Sequence, residues 1–385
     1  MRIHGRGGMA LCGAGAIVMV LSGCGSGESG TSKGPAIADP IAVTYDGGIL
    51  LLDGNTLAQG GEVKLDGFNR LNPAGDDRHV MVSTKTGFRV LDAARAEFTD
   101  IEFPAVKPGH VVRHAGRTVL FDDGTGEVTG FDPARLDAGK PETRVYRTPE
   151  PHHGVAVELS NANLLVTLGT EEKRSGIAVL DKDRKEIARN ENCPGVHGES
   201  IAADEAVAFG CEDGVLIYRD GVITKVQSPT PYGRIGNQAG SAHSPIVLGD
   251  YKQDEHAELE RPRQISLIDT RTGGLRLVDL RASYTFRSLG RGPQGQALVL
   301  GTDGGLRVID PEAGTVLRTI AVTGRWEEPL QWQRPRPALF VRGGDAYVSD
   351  PATNRLHRID LAAGTIAATV TLPGTPNELS GVVAH

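Results

Sequence analysis

Beyond residue 40 the chain is a succession of short apolar runs cut by turn residues, with little helical periodicity. Ile41-Ala42-Val43-Thr44-Tyr45 runs into Asp46-Gly47-Gly48, and Ala297-Leu298-Val299-Leu300 into Thr302-Asp303-Gly304-Gly305. Asp-Gly between apolar stretches predicts a hairpin, because tight turns need residues that accept positive φ. After the second of these turns come Leu306-Arg307-Val308-Ile309-Asp310, the turn Pro311-Glu312-Ala313-Gly314 and a further run from Thr315. The pattern predicts strand, turn, strand, turn, strand.

The unit recurs. Third strands are expected to close at Asp92, Asp132, Asp181, Asp269, Asp310 and Asp360, with Asp220 slightly displaced. Asp92 to Asp132 is 40 residues, Asp132 to Asp181 is 49, Asp269 to Asp310 is 41 and Asp310 to Asp360 is 50. Such a period with four strands per unit predicts an all-β fold, a β-propeller, of about eight blades with seven as the alternative. The segment from Ile41 to Asp66 offers three strands with no inner strand before them, and Asn377 to Ala384 offers one with no successors. Joined, they complete a blade and close the ring without exposed sheet edges.

The first residues follow another pattern. Arg2 and Arg6 precede an apolar run from Met9 to Leu21 that is too short to span a bilayer but suits a signal peptide. It ends in Leu21-Ser22-Gly23-Cys24, where small residues before a cysteine form a lipobox. Residues 1–23 are expected to be removed and Cys24 to carry lipid, which anchors the protein on the outer face of the membrane rather than spanning it. The Gly/Ser-rich stretch within residues 24–36 would be a tether, leaving residues 37–385 for the propeller domain.

Removing Arg2 and Arg6 takes the formal charge from −7 to −9. An acidic body argues against nucleic acid as a partner, and leaves the acyl chain to do the anchoring. Of four cysteines, Cys12 leaves with the leader and Cys24 is lipidated. Cys193 and Cys211 remain, and an even pair in an exported protein is expected to form a disulfide.

Candidate chemistry lies in the histidines. Three successive inner strands are expected to start at Pro108-Gly109-His110, Pro151-His152-His153-Gly154 and Pro194-Gly195-Val196-His197-Gly198. His110 to His153 is 43 residues and His153 to His197 is 44, so all three should converge at one mouth of the central channel. Converging imidazoles suit a borderline-soft divalent cation, and Zn2+ matches best. Asp122 and Asp123 end the second strand of the His110 blade, on the right face to supply a ligand or orient one, and Asp123 is counted with the metal site. The other histidines miss this register: His114 and His243 belong to the opposite end, His79 to a second strand, His357 to a third and His256 to a charged loop. His152 should point away from its neighbour.

At these residues the chain resembles the AztD family, the periplasmic zinc metallochaperones of cluster-type zinc ABC importers. The resembling segments are HVVRHAGRTVLFDDGTG at 110–126, PHHGVAVEL at 151–159, CPGVHGES at 193–200 with AFGCEDGVL at 208–216, and RPRPALFVRGGDAYVSDP at 334–351. The resemblance implies a propeller that is no enzyme, binds zinc through His110, His153 and His197, and passes it to the transporter's solute-binding protein. A His/Asp-rich segment carried by members of that family has no counterpart here, since residues 25–109 hold one histidine, His79. The alternatives are a metal-assisted lyase, hydrolase or dehydrogenase at the channel mouth, and an interaction scaffold. No redox-cofactor motif and no nucleophile paired with a base supports the first, and the histidine spacing argues against the second. A monomer is expected.

Overall fold

Burial along the strands explains the architecture. Second and third strands are sealed on both faces: Gly47–Leu52, His79–Ser83, Val207–Cys211 and Ala297–Leu300 are buried almost throughout. Outer strands such as Gln59–Leu65 and Thr365–Thr371 alternate or lie exposed. Strands buried on both faces need a neighbour on each side, and radial packing of small sheets supplies it. In this computed structural model, which describes residues 36–383, the sheets are eight blades of four antiparallel strands, one of them adding the two-residue parallel strand Gly233–Arg234. The leader, the lipobox at Cys24 and the tether fall outside the described residues, except for the last tether position, Ala36. Among the described residues no helix is long and apolar enough to cross a membrane.

Ring closure uses the two ends of the described chain. Leu379–Gly381 pairs with Ile41–Tyr45 in antiparallel register, Ile41 opposite Gly381 and Val43 opposite Leu379. The strand Leu379–Gly381 is therefore the innermost of the first blade, and Ile41–Tyr45, Gly47–Leu52 and Gln59–Leu65 follow outward. The other inner strands in order begin at Arg70, Pro108, Ala156, His197, Gln238, Leu289 and Leu339. Blades are numbered from two to eight in that order. Apolar packing is divided into wedges between neighbouring blades, such as Val179, Phe209 and Leu216 between blades four and five.

The recurring aspartate also has a cause. Asp310 Oδ1 accepts from the backbone N–H groups of Glu312 and Ala313 at 2.9 and 3.0 Å, and Asp360 Oδ1 from Ala362 and Ala363 at 2.8 Å each. The carboxylate caps the turn from third to fourth strand, and a short acceptor side chain is what such a turn requires. Asp53 does the same in blade one, from Asn55 and Thr56.

Candidate metal centre

His110 lies in the inner strand Pro108–His114 of blade three, and His197 opens that of blade five. His153 stands just before the inner strand of blade four, Ala156–Glu158. Both flanking strands are irregular at the histidine. Register shifts between Pro108 and Val111, and between His197 and Glu199, where Gly198 takes φ +69°. Bulges of this kind re-aim a side chain, and glycine accepts the left-handed conformation at low cost.

The three rings meet. Their centroids are 5.2 Å apart for His110 and His153, 5.6 Å for His110 and His197, and 5.0 Å for His153 and His197. One nitrogen from each lies within 4.8 Å of the others, and among the described residues no other group of three or more His, Cys, Asp or Glu converges this way.

The partners behind the rings fix their tautomers. His197 Nδ1 lies 2.6 Å from the carbonyl of Gly236, which can only accept, so Nδ1 carries the proton. His153 Nδ1 lies 2.5 Å from Asp123 Oδ2 and donates to that carboxylate. When both rings are neutral each presents a bare Nε2, and the two Nε2 atoms stand 3.1 Å apart. A proton or a metal ion between two ring nitrogens at that distance relieves the repulsion of their lone pairs. Nitrogens sharing one tetrahedral zinc stand roughly 3.3 Å apart, so the donor set fits that ion.

Asp123, counted with the metal site from sequence, braces His153 instead of joining the cluster. Its Oδ1 takes the N–H of Gly154 at 3.3 Å while Oδ2 holds His153. Gly109 makes room for it, since a Cβ there would come within 2.2 Å of Oδ1. Asp122 accepts from the backbone N–H groups of Val106 and Lys107 at 3.0 and 2.8 Å and shapes the loop before His110. His152 turns into the blade, between the carbonyl of Glu150 and Thr167 Oγ1.

Sequence reasoning missed Glu199. Its Oε2 lies 3.7 Å from His110 Nδ1. It is two residues from His197, but the bulge at Gly198 lies between them, so strand alternation alone does not place it. Burial pushes its carboxyl up to about 8. Burial likewise holds His110 well below the ordinary histidine range, helped by His197 and His153. His197 is lowered to about 3 by burial, then by Arg234 and His153. About a quarter of the His110 side chain, 27%, still meets solvent, through the channel mouth. His110 and His197, kept neutral by burial, are ready to ligate.

The remaining histidines stand elsewhere. His79 pairs with Asp76 at 2.6 Å, and His357 Nδ1 lies 2.9 Å from Thr369 Oγ1 in a third strand. His243 lies in the turn between Gln238–Ser241 and Ser244–Asp250, and His256 in an exposed loop. His114 closes its inner strand at the far end and binds Glu205. Cys193 and Cys211 are joined, with Cα atoms 4.9 Å apart. The bridge ties the loop leading to His197 to the second strand of blade five.

No protein-family model matches the chain. The zinc chaperone AztD of Citrobacter koseri is 26% identical over 302 residues, 76% of this chain and 69% of that protein. The crystal structure of Citrobacter koseri AztD superposes with a TM-score of 0.77 at 21% identity, over 89% of this chain and 96% of that one. The chain is a relative of AztD. The likeness to AztD in sequence and in fold spans the blades that carry all three histidines. Dihydro-heme d1 dehydrogenase NirN superposes less closely, with a TM-score of 0.60 at 11% identity over 90% of this chain and 75% of that one, a likeness of fold alone.

Proposed function

We propose that this chain is an extracytoplasmic zinc chaperone, which binds one zinc ion through His110, His153 and His197 and delivers it to the solute-binding protein of an ABC importer. The observation that carries the reading is the convergence of one nitrogen from each of His110, His153 and His197 to within 4.8 Å of one another, with the Nε2 atoms of His153 and His197 3.1 Å apart. A propeller needs no such convergence for stability, and three ring nitrogens at this spacing suit a metal ion. AztD, its relative, is named a zinc chaperone. Zinc is cargo in this reading, so the site must release it as well as bind it. Three imidazoles leave one position of a tetrahedral ion open, where an acceptor's ligand can enter before a protein ligand leaves. Glu199 stands near His110 and is the carboxylate available to close that position between transfers. No nucleophile is part of the site, and the protein acts as a carrier rather than an enzyme.

The chain acts as a monomer, held at the outer face of the membrane by lipid on Cys24, with residues 24–36 as tether and residues 37–385 as the carrier domain. Replacing Cys24 with Ala is expected to release it from the membrane fraction. The functional test is transfer. Zinc-loaded protein mixed with the metal-free solute-binding protein should lose its zinc to that partner, and a variant with all three histidines replaced by Ala should carry none. Equal zinc content in the triple variant would contradict the reading.

A further inference from the structure

The mouth that holds the triad also carries two guanidinium groups with no part in ligating a metal. Arg234 lies in the two-residue strand Gly233–Arg234, which runs parallel to the third strand of blade five at Asp213. Its backbone exchanges two hydrogen bonds with Lys252, each 2.9 Å, and Ile235 N–H donates to Cys211 O at 3.0 Å. The backbone beneath Arg234 is thus stitched to blade six on one side and to the disulfide-bearing strand on the other. The guanidinium folds over Gly236, where a Cβ would come within 2.3 Å of a terminal nitrogen and 2.8 Å of Cζ. Gly236 supplies the carbonyl that fixes His197, so this positive charge lies against a ligand.

Arg174 opens the third strand of blade four, and its carbonyl takes the N–H of Gly195 at 3.0 Å, in the loop leading to His197. It is near enough to Arg234 for their charges to oppose each other. Both residues are half-buried. Among the described residues neither guanidinium makes a hydrogen bond or ion pair. The carboxylates that face Arg174 are Glu212 and Asp123. Asp123 is occupied by His153 and Gly154, and Glu212 packs against Gly195.

Two partly desolvated like charges with no hydrogen-bonded counterion oppose each other, and beside a cation site they also oppose the metal. An anion arriving with or for the metal would reverse both effects. We propose that Arg174 and Arg234 form a carboxylate-binding subsite beside the histidine triad. The guanidinium fork matches a carboxylate in shape as well as charge. The inference rests on the zinc reading for its purpose: a carboxylate held here stands beside the metal's open position and serves as the ligand that exchanges during transfer. That carboxylate is either a side chain of the acceptor protein or a small free carboxylate, and the two share one chemistry.

Calorimetric titration of the metal-free protein with malonate tests the subsite apart from the metal. Saturable binding is expected in the wild type, weakened by about tenfold or more in the double variant R174Q/R234Q. Partial return is expected in R174K/R234K, which keeps the charges and guards against loss by misfolding. Equal malonate binding in the wild type and R174Q/R234Q, or no saturable binding in the wild type, would overturn the inference. Cobalt(II)-loaded protein supplies the second readout, since malonate should shift its visible bands in the wild type and not in R174Q/R234Q. Unshifted bands in the wild type would overturn the exchange role. Malonate binding that depends on the arginines in a protein that fails to bind cobalt would sink the zinc reading and leave the subsite standing. A glutamate-rich tetrapeptide that binds more tightly than malonate supports the acceptor-borne source, and the reverse order supports the free carboxylate.

Discussion

Blades three, four and five are joined twice, once at each end of their inner strands, and each joint uses histidine and carboxylate. At one end His110, His153 and His197 converge with Asp123 and Glu199. At the other, His114 of blade three lies with Nε2 2.5 Å from Glu205 Oε1, and Glu205 also takes both the N–H and the hydroxyl of Ser160 after the inner strand of blade four. His110 and His114 are four residues apart on one strand. At the far end Nε2 of the histidine is the nitrogen spent on a carboxylate. At the channel mouth carbonyl and carboxylate partners take the Nδ1 atoms of His197 and His153, and the Nε2 atoms face one another. The same residue types thus give a clasp or a binding site according to which nitrogen the surroundings consume.

Breaking the disulfide should give the largest effect on the fold. C193S/C211S is expected to lose roughly 2–4 kcal/mol in a denaturant melt. It should also weaken zinc binding, because the bridge holds the loop before His197, and leave the clasp untouched. Next comes Asp123→Ala. With His153 free to rotate and change tautomer, zinc affinity should fall by about 10–100-fold, the range typical of partners behind a metal ligand. Calorimetry with zinc would read it, and an unchanged affinity would show that Asp123 does not set the site. His114→Ala should do the reverse: stability falls by about 1–3 kcal/mol, as a part-buried charge-assisted hydrogen bond is lost, and zinc affinity stays the same.

How much of this contrast the sequence disclosed follows from what repeats. The blades were legible because most third strands end in the same turn-capping aspartate, blade five being the exception, and the triad because inner strands begin at a fixed period. Both expectations about closure held: Leu379–Gly381 does complete the blade of Ile41–Tyr45, and there are eight blades rather than seven. The braces were legible only in part: Asp123 was placed on the right face, to ligate or to orient, but which of the two it does was not. Asp123 acts behind His153 rather than beside it because Gly109 lets it approach, and nothing periodic marks that approach. Glu199 comes into reach through the bulge at Gly198. Arg234 lies on a two-residue strand outside the four-strand pattern. The longer spacing before Asp360 reflects residues 322–338, a loop between blades seven and eight that no repeat predicts.

The smallest predicted effects are in pH. Burial lowers His110 and His197, so below about pH 6.5 the unfolded chain takes up protons that the folded one refuses, and stability falls as pH drops. Burial raises Glu199 to about 8, so the folded protein keeps a proton that the unfolded chain sheds above 4.5, and that contribution is lost as pH rises toward 8. From these three groups, metal-free stability should peak near pH 6.5, the ordinary histidine value. Zinc affinity should keep rising beyond that point toward pH 8 if Glu199 closes the site, because binding must then expel its proton. A plateau from pH 6.5 upward would remove Glu199 from the coordination.

The most direct measurement compares the two ends of one strand: zinc calorimetry on His110→Ala beside His114→Ala, with His153→Ala and His197→Ala completing the triad. Each of the three triad variants should lose more than about 100-fold in affinity, exceeding the loss from any partner behind a ligand, while His114→Ala binds as the wild type does. Equal losses at His110 and His114, or wild-type affinity in any triad variant, would contradict the account.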